Sequence, residues 1–186
     1  MAKQIDAKKV YGVYTQSVLT TKVHLRITEV GKNVRQNLER SISKNNEGRC
    51  IAEGFIRPGS VRVLSYSSGV VNNERVEFQT VYECMVCYPV EGMNLECVSR
   101  TITKAGIHAE VVDDDGTVPI TVFIARDHHF TDKAFADIRK NANIKATVVG
   151  IRFELNDPYI CVIAKLNDQR GANVPTKKPT IRILNE

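Results

Sequence analysis

No apolar run in this sequence approaches the roughly 20 residues that a helix needs to cross a bilayer, which argues against a helical membrane anchor. The first ten residues, Met1 to Val10, lack the apolar core of a secretory signal, so an intracellular location with no membrane contact is expected. There is no internal repeat and no low-complexity tract. A phosphate-cradling glycine loop, a dinucleotide fingerprint and a nucleophile elbow are all missing, and nothing suggests an enzyme or a cofactor.

What is present describes an ordinary globular chain. The 186 residues suffice for one large domain or two small ones, and the 42% hydrophobic and 25% charged content argues against wholesale disorder. Five cysteines (Cys50, Cys84, Cys87, Cys97, Cys161) are an odd number in a chain expected to stay inside the cell, which favours buried, reduced thiols over a disulfide framework. The net charge of +5 is compatible with a nucleic-acid partner without requiring one.

Hydrophobic spacing divides the chain into two halves. Val10–Tyr14 and Val18–Ile27 alternate with the two-residue period of half-buried strands. Val30, Val34, Leu38 and Ile42 then recur every fourth residue, the pattern of an amphipathic helix, with Thr28 as cap, Glu29 in the first turn and Asn45-Asn46-Glu47-Gly48 as the stop. Cys50–Ile56, Val61–Tyr66 and Val76–Tyr88 return to the strand period, separated by Arg57-Pro58-Gly59 and Asn72-Asn73 turns. The front half, residues 1–90, is thus an α+β unit, a helix on an antiparallel sheet, joined through Pro89-Val90-Glu91-Gly92 to the back half.

The back half reads as strands Asn94–Thr103, Ile107–Val112 and Val118–Ile124, the last two joined by the hairpin turn Asp113-Asp114-Asp115-Gly116. A short helix capped by Thr131, with Ala134, Phe135 and Ile138 on one face, precedes strands Ile144–Phe153 and Tyr159–Leu166, themselves joined across Asn156-Asp157-Pro158. Three strands, a helix and two strands is the order of a five-stranded OB barrel, here over residues 91–168 and suited to single-stranded RNA. Residues 169–186, with Pro175 and Lys177-Lys178-Pro179, are expected to form an extended tail with a short terminal strand at Thr180–Leu184.

Several residues invite a chemical reading. Cys84-Met85-Val86-Cys87 has the spacing of a zinc or redox pair. Residues three apart on a strand point to opposite faces, however, and no second pair completes four ligands, so no metal is expected. His128-His129 reads as an exposed loop, His24 as a strand residue, and Asp113–Gly116 lacks the ligand spacing of a calcium loop. Arg100, Lys104, His108, Lys145, Arg152 and Lys165 of the barrel are candidate RNA contacts, with Lys133, Arg139 and Lys140 on its helix. They form a backbone track if they share a face and a scatter of solvated charges if they do not. Phe123, Phe130, Phe153 and Tyr159 are the candidate stacking aromatics, with Phe123 and Phe153 equally suited to the core.

The order and spacing of four segments resemble the stalk subunit of multisubunit DNA-directed RNA polymerases, the seventh-largest subunit of polymerase II and its archaeal counterpart. They are Asn46-Glu47-Gly48-Arg49-Cys50, Ser68-Gly69-Val70-Val71 followed by Val76 to Tyr82, Pro89-Val90-Glu91-Gly92, and Lys104-Ala105-Gly106-Ile107-His108-Ala109-Glu110-Val111. The resemblance spans roughly residues 10 to 166. It implies a non-catalytic subunit that pairs with a small helical partner (the fourth subunit of the polymerase), docks on the polymerase core and turns its barrel toward nascent single-stranded RNA. By the same resemblance, Phe55, Ile56, Arg57, Pro58 and Gly59 would touch the core subunits. Ile107 and His108 stand where such barrels often carry aromatics, which counts against tight RNA binding. With the extra residues at both ends, this suggests a divergent member, such as a copy carried by a large DNA virus. Expected locations are the nucleus for a cellular protein, and the virion or cytoplasmic viral factory for a viral one. The alternative is a free-standing S1-like RNA-binding protein of translation or RNA decay.

Overall fold

The computed structural model describes residues 12–129 and 133–167. The tail at 169–186, the Thr131 cap and Phe130 lie outside the described residues. The strand β1 (Tyr14–Arg26) takes up the second expected segment and only Tyr14 of the first, whose Gly12 and Val13 form a turn, and β6 (Arg75–Cys87) pairs with it without a break from Tyr14↔Cys87 to Arg26↔Arg75. The opposite edge of β6 is shared by three short strands in turn: β5 (Val70–Asn72), β4 (Arg62–Tyr66) and β3 (Gly54–Ile56). The strand β2 (Cys50–Ile51) then pairs with β3.

Two expectations shift here. The helix α1 runs Val34–Asn46 with Asn33 at its N-cap, and Thr28 sits instead within a 3-10 turn, Ile27–Glu29. The Glu29 carboxylate turns back to accept the Arg26 backbone N–H at 2.9 Å, so the chain reverses before α1 can start. The stretch Cys50–Ile56 is a hairpin of β2 and β3 rather than one strand. Gly54 bends it at φ +126, where an added Cβ would stand 2.4 Å from the Cys87 carbonyl oxygen. The Asn72-Asn73 turn does form, with Asn73 at φ 53, and it joins β6 to β5, a strand too short to announce itself by period.

Helix α1 packs Leu38 and Ile42 on Val23, Leu25, Val63 and Phe78 of the sheet. Full burial of each such aliphatic side chain contributes about 1.5–3 kcal/mol.

The barrel comprises β7 (Asn94–Ile102), β8 (Gly106–Val111), β9 (Ile120–Ala125), β10 (Asn143–Arg152) and β11 (Ile160–Leu166), closed in the order β10-β11-β9-β8-β7. The β9–β11 pair is parallel and the others antiparallel, and the helix α2 (Lys133–Ala136) lies between the third and fourth barrel strands in sequence. The fold is α+β with a C-terminal OB-type barrel. The alternation along each strand turns Ile107, Ala109, Val122, Ile124, Ala146 and Val162 inward, and Phe135 of α2 is buried in the same core.

That core does not stop at the barrel. Tyr14, Cys50, Phe55 and Cys87 of the front sheet belong to it. Two backbone hydrogen bonds of 2.8 Å tie β2 to the β10–β11 loop, Cys50 N–H to the Asp157 carbonyl and Asn156 N–H to the Cys50 carbonyl. Beside them the Arg57 guanidinium meets Asp113 at 2.8 Å and Asp115 at 2.5 Å, and lies 5.6 Å from the Tyr14 ring centroid. The Arg57 and Asp113 side chains are only 13% and 11% exposed. Removing one member of a buried pair strands the other, at a cost of about 3–5 kcal/mol. Arg57→Ala should therefore destabilise the fold by roughly that much in urea unfolding. In a double-mutant cycle with Asp113→Ala the two losses should be far from additive, and additive losses would show that the pair is uncoupled.

Candidate nucleic-acid interface

Residues facing inward on the barrel strands leave their neighbours facing out, and register brings these neighbours together. His108 of β8 lies opposite Phe123 of β9, and Phe123 opposite Ile163 of β11. The adjacent row runs Glu110, Thr121, Cys161, Arg152 across β8, β9, β11 and β10. Together with Arg100 and Tyr159 these side chains line a concavity of about 600 Å³ on the outside of the barrel. The His108 and Phe123 rings are tilted against each other with centroids 4.8 Å apart. Ile163 and Tyr159 are exposed. The floor is apolar and the rim polar, with Arg100 Nε 2.7 Å from Glu110 and Arg152 3.3 Å from Glu154. Such a surface offers planar faces for unpaired bases and cations for phosphates.

Of the six barrel candidates, Arg100, His108 and Arg152 line this concavity. Lys165 is exposed two residues beyond Ile163 on β11, and Lys104 is exposed in the β7–β8 turn. Lys145 lies elsewhere, opposite Glu96 on the β10–β7 pair and 2.8 Å from it. Arg139 and Lys140 are exposed after α2.

Phe123 faces outward rather than into the core, as the inward alternation of Ile120, Val122 and Ile124 requires. Phe153 is partly buried against the core and meets Tyr88 edge to face at 5.9 Å. Ile163 gives no sign of itself in the sequence, because a lone aliphatic residue on a strand carries no chemical signal.

The proposed core contact needs a larger correction. Phe55 and Ile56 are 1% and 0% exposed, the first packed in the core shared with the barrel and the second under α1. They are packing residues and cannot anchor a partner. Arg57 faces Asp113, and only Pro58 and Gly59 are exposed. Exposed apolar side chains occur along the front half, Val18, Leu64 and Tyr88 among them, and four others, Ile27, Tyr66, Val70 and Val71, lie toward the end of the sheet away from the barrel.

Cys84 and Cys87 point into different cores. Burial holds their thiols up, Cys84 at about 11 and Cys87 at about 12, and Cys50 and Cys97 at about 11. Among the described residues no group of three or more His, Cys, Asp or Glu side chains could hold a metal ion, and no helix is long and apolar enough to cross a membrane. His128 is exposed, whereas His129 stacks on Phe135 and accepts the Leu166 N–H at Nε2. His24 stands 3.2 Å from Glu77 on the open face of the sheet.

No family model matches the chain. Its curated relatives are subunits of DNA-directed RNA polymerases. A protein of Acanthamoeba polyphaga mimivirus assigned as such a subunit is 22% identical over 84% of this chain and 83% of its own length. Subunit RPB7 of RNA polymerase II from Glycine max is 22% identical over 76% of this chain and 86% of its own, and subunit 7 of Arabidopsis thaliana 22% over 74% and 84%. These similarities bear out the resemblance to the seventh polymerase subunit, and the viral relative fits the suggestion of a viral copy.

Phe123→Ala should weaken binding of an unstructured oligoribonucleotide by about 1–3 kcal/mol, the usual worth of one stacking position, in a fluorescence-anisotropy titration. An unchanged affinity would remove the concavity as the RNA site. In the native protein only the exposed Cys161 should react promptly with a thiol reagent, and all five thiols in denaturant. Because the buried thiols are harder to ionise in the fold than in the unfolded chain, their stabilising effect is full below pH 9 and fades as pH rises toward about 12, so the melting temperature should fall over that window.

Proposed function

We propose that this chain is a non-catalytic stalk subunit of a DNA-directed RNA polymerase. It docks on the polymerase core through residues 1–90, together with a small helical partner subunit, and meets nascent single-stranded RNA through the barrel at 91–168. The segment 169–186 is a tail that comes after the barrel. The carrying observation is the half-exposed Phe123–His108 pair between Arg100 and Arg152, on a chain whose likeness to polymerase subunits runs through both halves. Contact with the core belongs to the far end of the sheet, where Ile27, Tyr66, Val70 and Val71 are exposed, with Val70 on one face and Tyr66 and Val71 on the other. The host sets the site of action: the nucleus for a cellular polymerase, the virion or viral factory for a viral one.

The decisive experiment is recovery of the tagged chain from cells in which its polymerase is active. The large catalytic subunits should co-purify in near-equal amount, and Val70→Asp with Val71→Asp should release them while leaving RNA affinity intact. Recovery of a lone monomer that binds RNA would instead favour a free-standing S1-like protein.

A further inference from the structure

The outer face of α1 carries a second kind of charge. The helix segment has two acidic residues at its inner border, and both turn toward the sheet. The Glu39 carboxylate accepts the Val63 N–H at 3.0 Å and Glu47 accepts the Val61 N–H at 2.9 Å, so each caps a backbone donor at the start of β4. With both carboxylates drawn inward, the face opposite Leu38 and Ile42 carries Gln36, Arg40 and Lys44 in one i, i+4 row, with Lys32 in the turn before it. Lys32, Arg40 and Lys44 are all exposed, and none makes an ion pair with another described residue. The barrel concavity differs: its Arg100 and Arg152 each face a carboxylate.

The same face lacks what the concavity has. From Val30 to Arg49 there is no aromatic residue, so nothing here can stack on an unpaired base. A convex, cationic, non-aromatic helix with amide donors at Asn33 and Gln36 suits a partner whose bases are already stacked and whose phosphates lie outermost. We propose that the outer face of α1 is a contact for the phosphate backbone of duplex DNA, independent of sequence and separate from the single-strand surface of the barrel.

The test is a fluorescence-anisotropy titration of the full chain with a labelled random-sequence DNA duplex over a range of salt concentrations. Each phosphate contact contributes about 0.9 to the slope of log affinity against log salt. Arg40→Glu with Lys44→Glu should weaken binding and make that slope shallower by about 1.8, and the neutral pair Arg40→Gln with Lys44→Gln should change it in the same direction. Phe123→Ala should leave duplex binding unchanged, so that failure of the RNA surface and failure of this one are told apart. Duplex affinity and slope unaltered in both helix variants would overturn the proposal. So would a polyglutamate peptide that competes for this face as well as the duplex does, since it would mark a site for an acidic protein segment.

Discussion

Most of the front half depends on one strand being used on both edges. The strand β6 gives its whole length on one side to β1 and divides the other among β5, β4 and β3. Its last two residues, Val86 and Cys87, hold β3, and β3 leads directly into Arg57. The Arg57–Asp113 ion pair and the two β2 hydrogen bonds to the β10–β11 loop can form only if that short hairpin is held in register. The orientation of the barrel against the sheet thus descends from the hydrogen bonding of β6, and the shared core of Tyr14, Phe55 and Cys87 fills the space so defined.

Much of this was legible in the residues. The fourfold recurrence of Leu38 and Ile42, the alternation of Val76 to Tyr82 and the strand–helix order of the back half follow from periods of 3.6 and 2 that burial imposes. The parts that were not legible share a physical cause. Phe55 and Ile56 beside a Pro-Gly turn look like an exposed tip, and only the non-local pairing of β3 with the end of β6 reveals that both faces of this hairpin are covered. Strand β5 has too few residues to display a period. The concavity needs the pairing of three strands before His108, Phe123 and Ile163 become neighbours, and register across a closed barrel is not a local property.

The two proposed nucleic-acid surfaces divide the chemistry between them. On the barrel, apolar and planar groups lie beside arginines that each face a carboxylate. On α1, charge stands alone because Glu39 and Glu47 are occupied with backbone donors. A subunit that touches an emerging single strand at one end and a duplex along the other would respond differently to ionic strength at each, and the two contacts could be made or lost independently.

The long pairing of β1 with β6 also sets a timetable. Tyr14 must wait for Cys87 and Arg26 for Arg75, so β1 is made long before its partner exists. Synthesis proceeds at about 5–20 residues per second, which leaves β1 single for a matter of seconds. The barrel has no such delay at its start, since β7, β8 and β9 pair in the order in which they are made. Pairings between distant residues form slowly even in the finished chain. During that interval the strand leaves Leu19, Val23 and Leu25 unsheltered, apolar surface that a chaperone would cover.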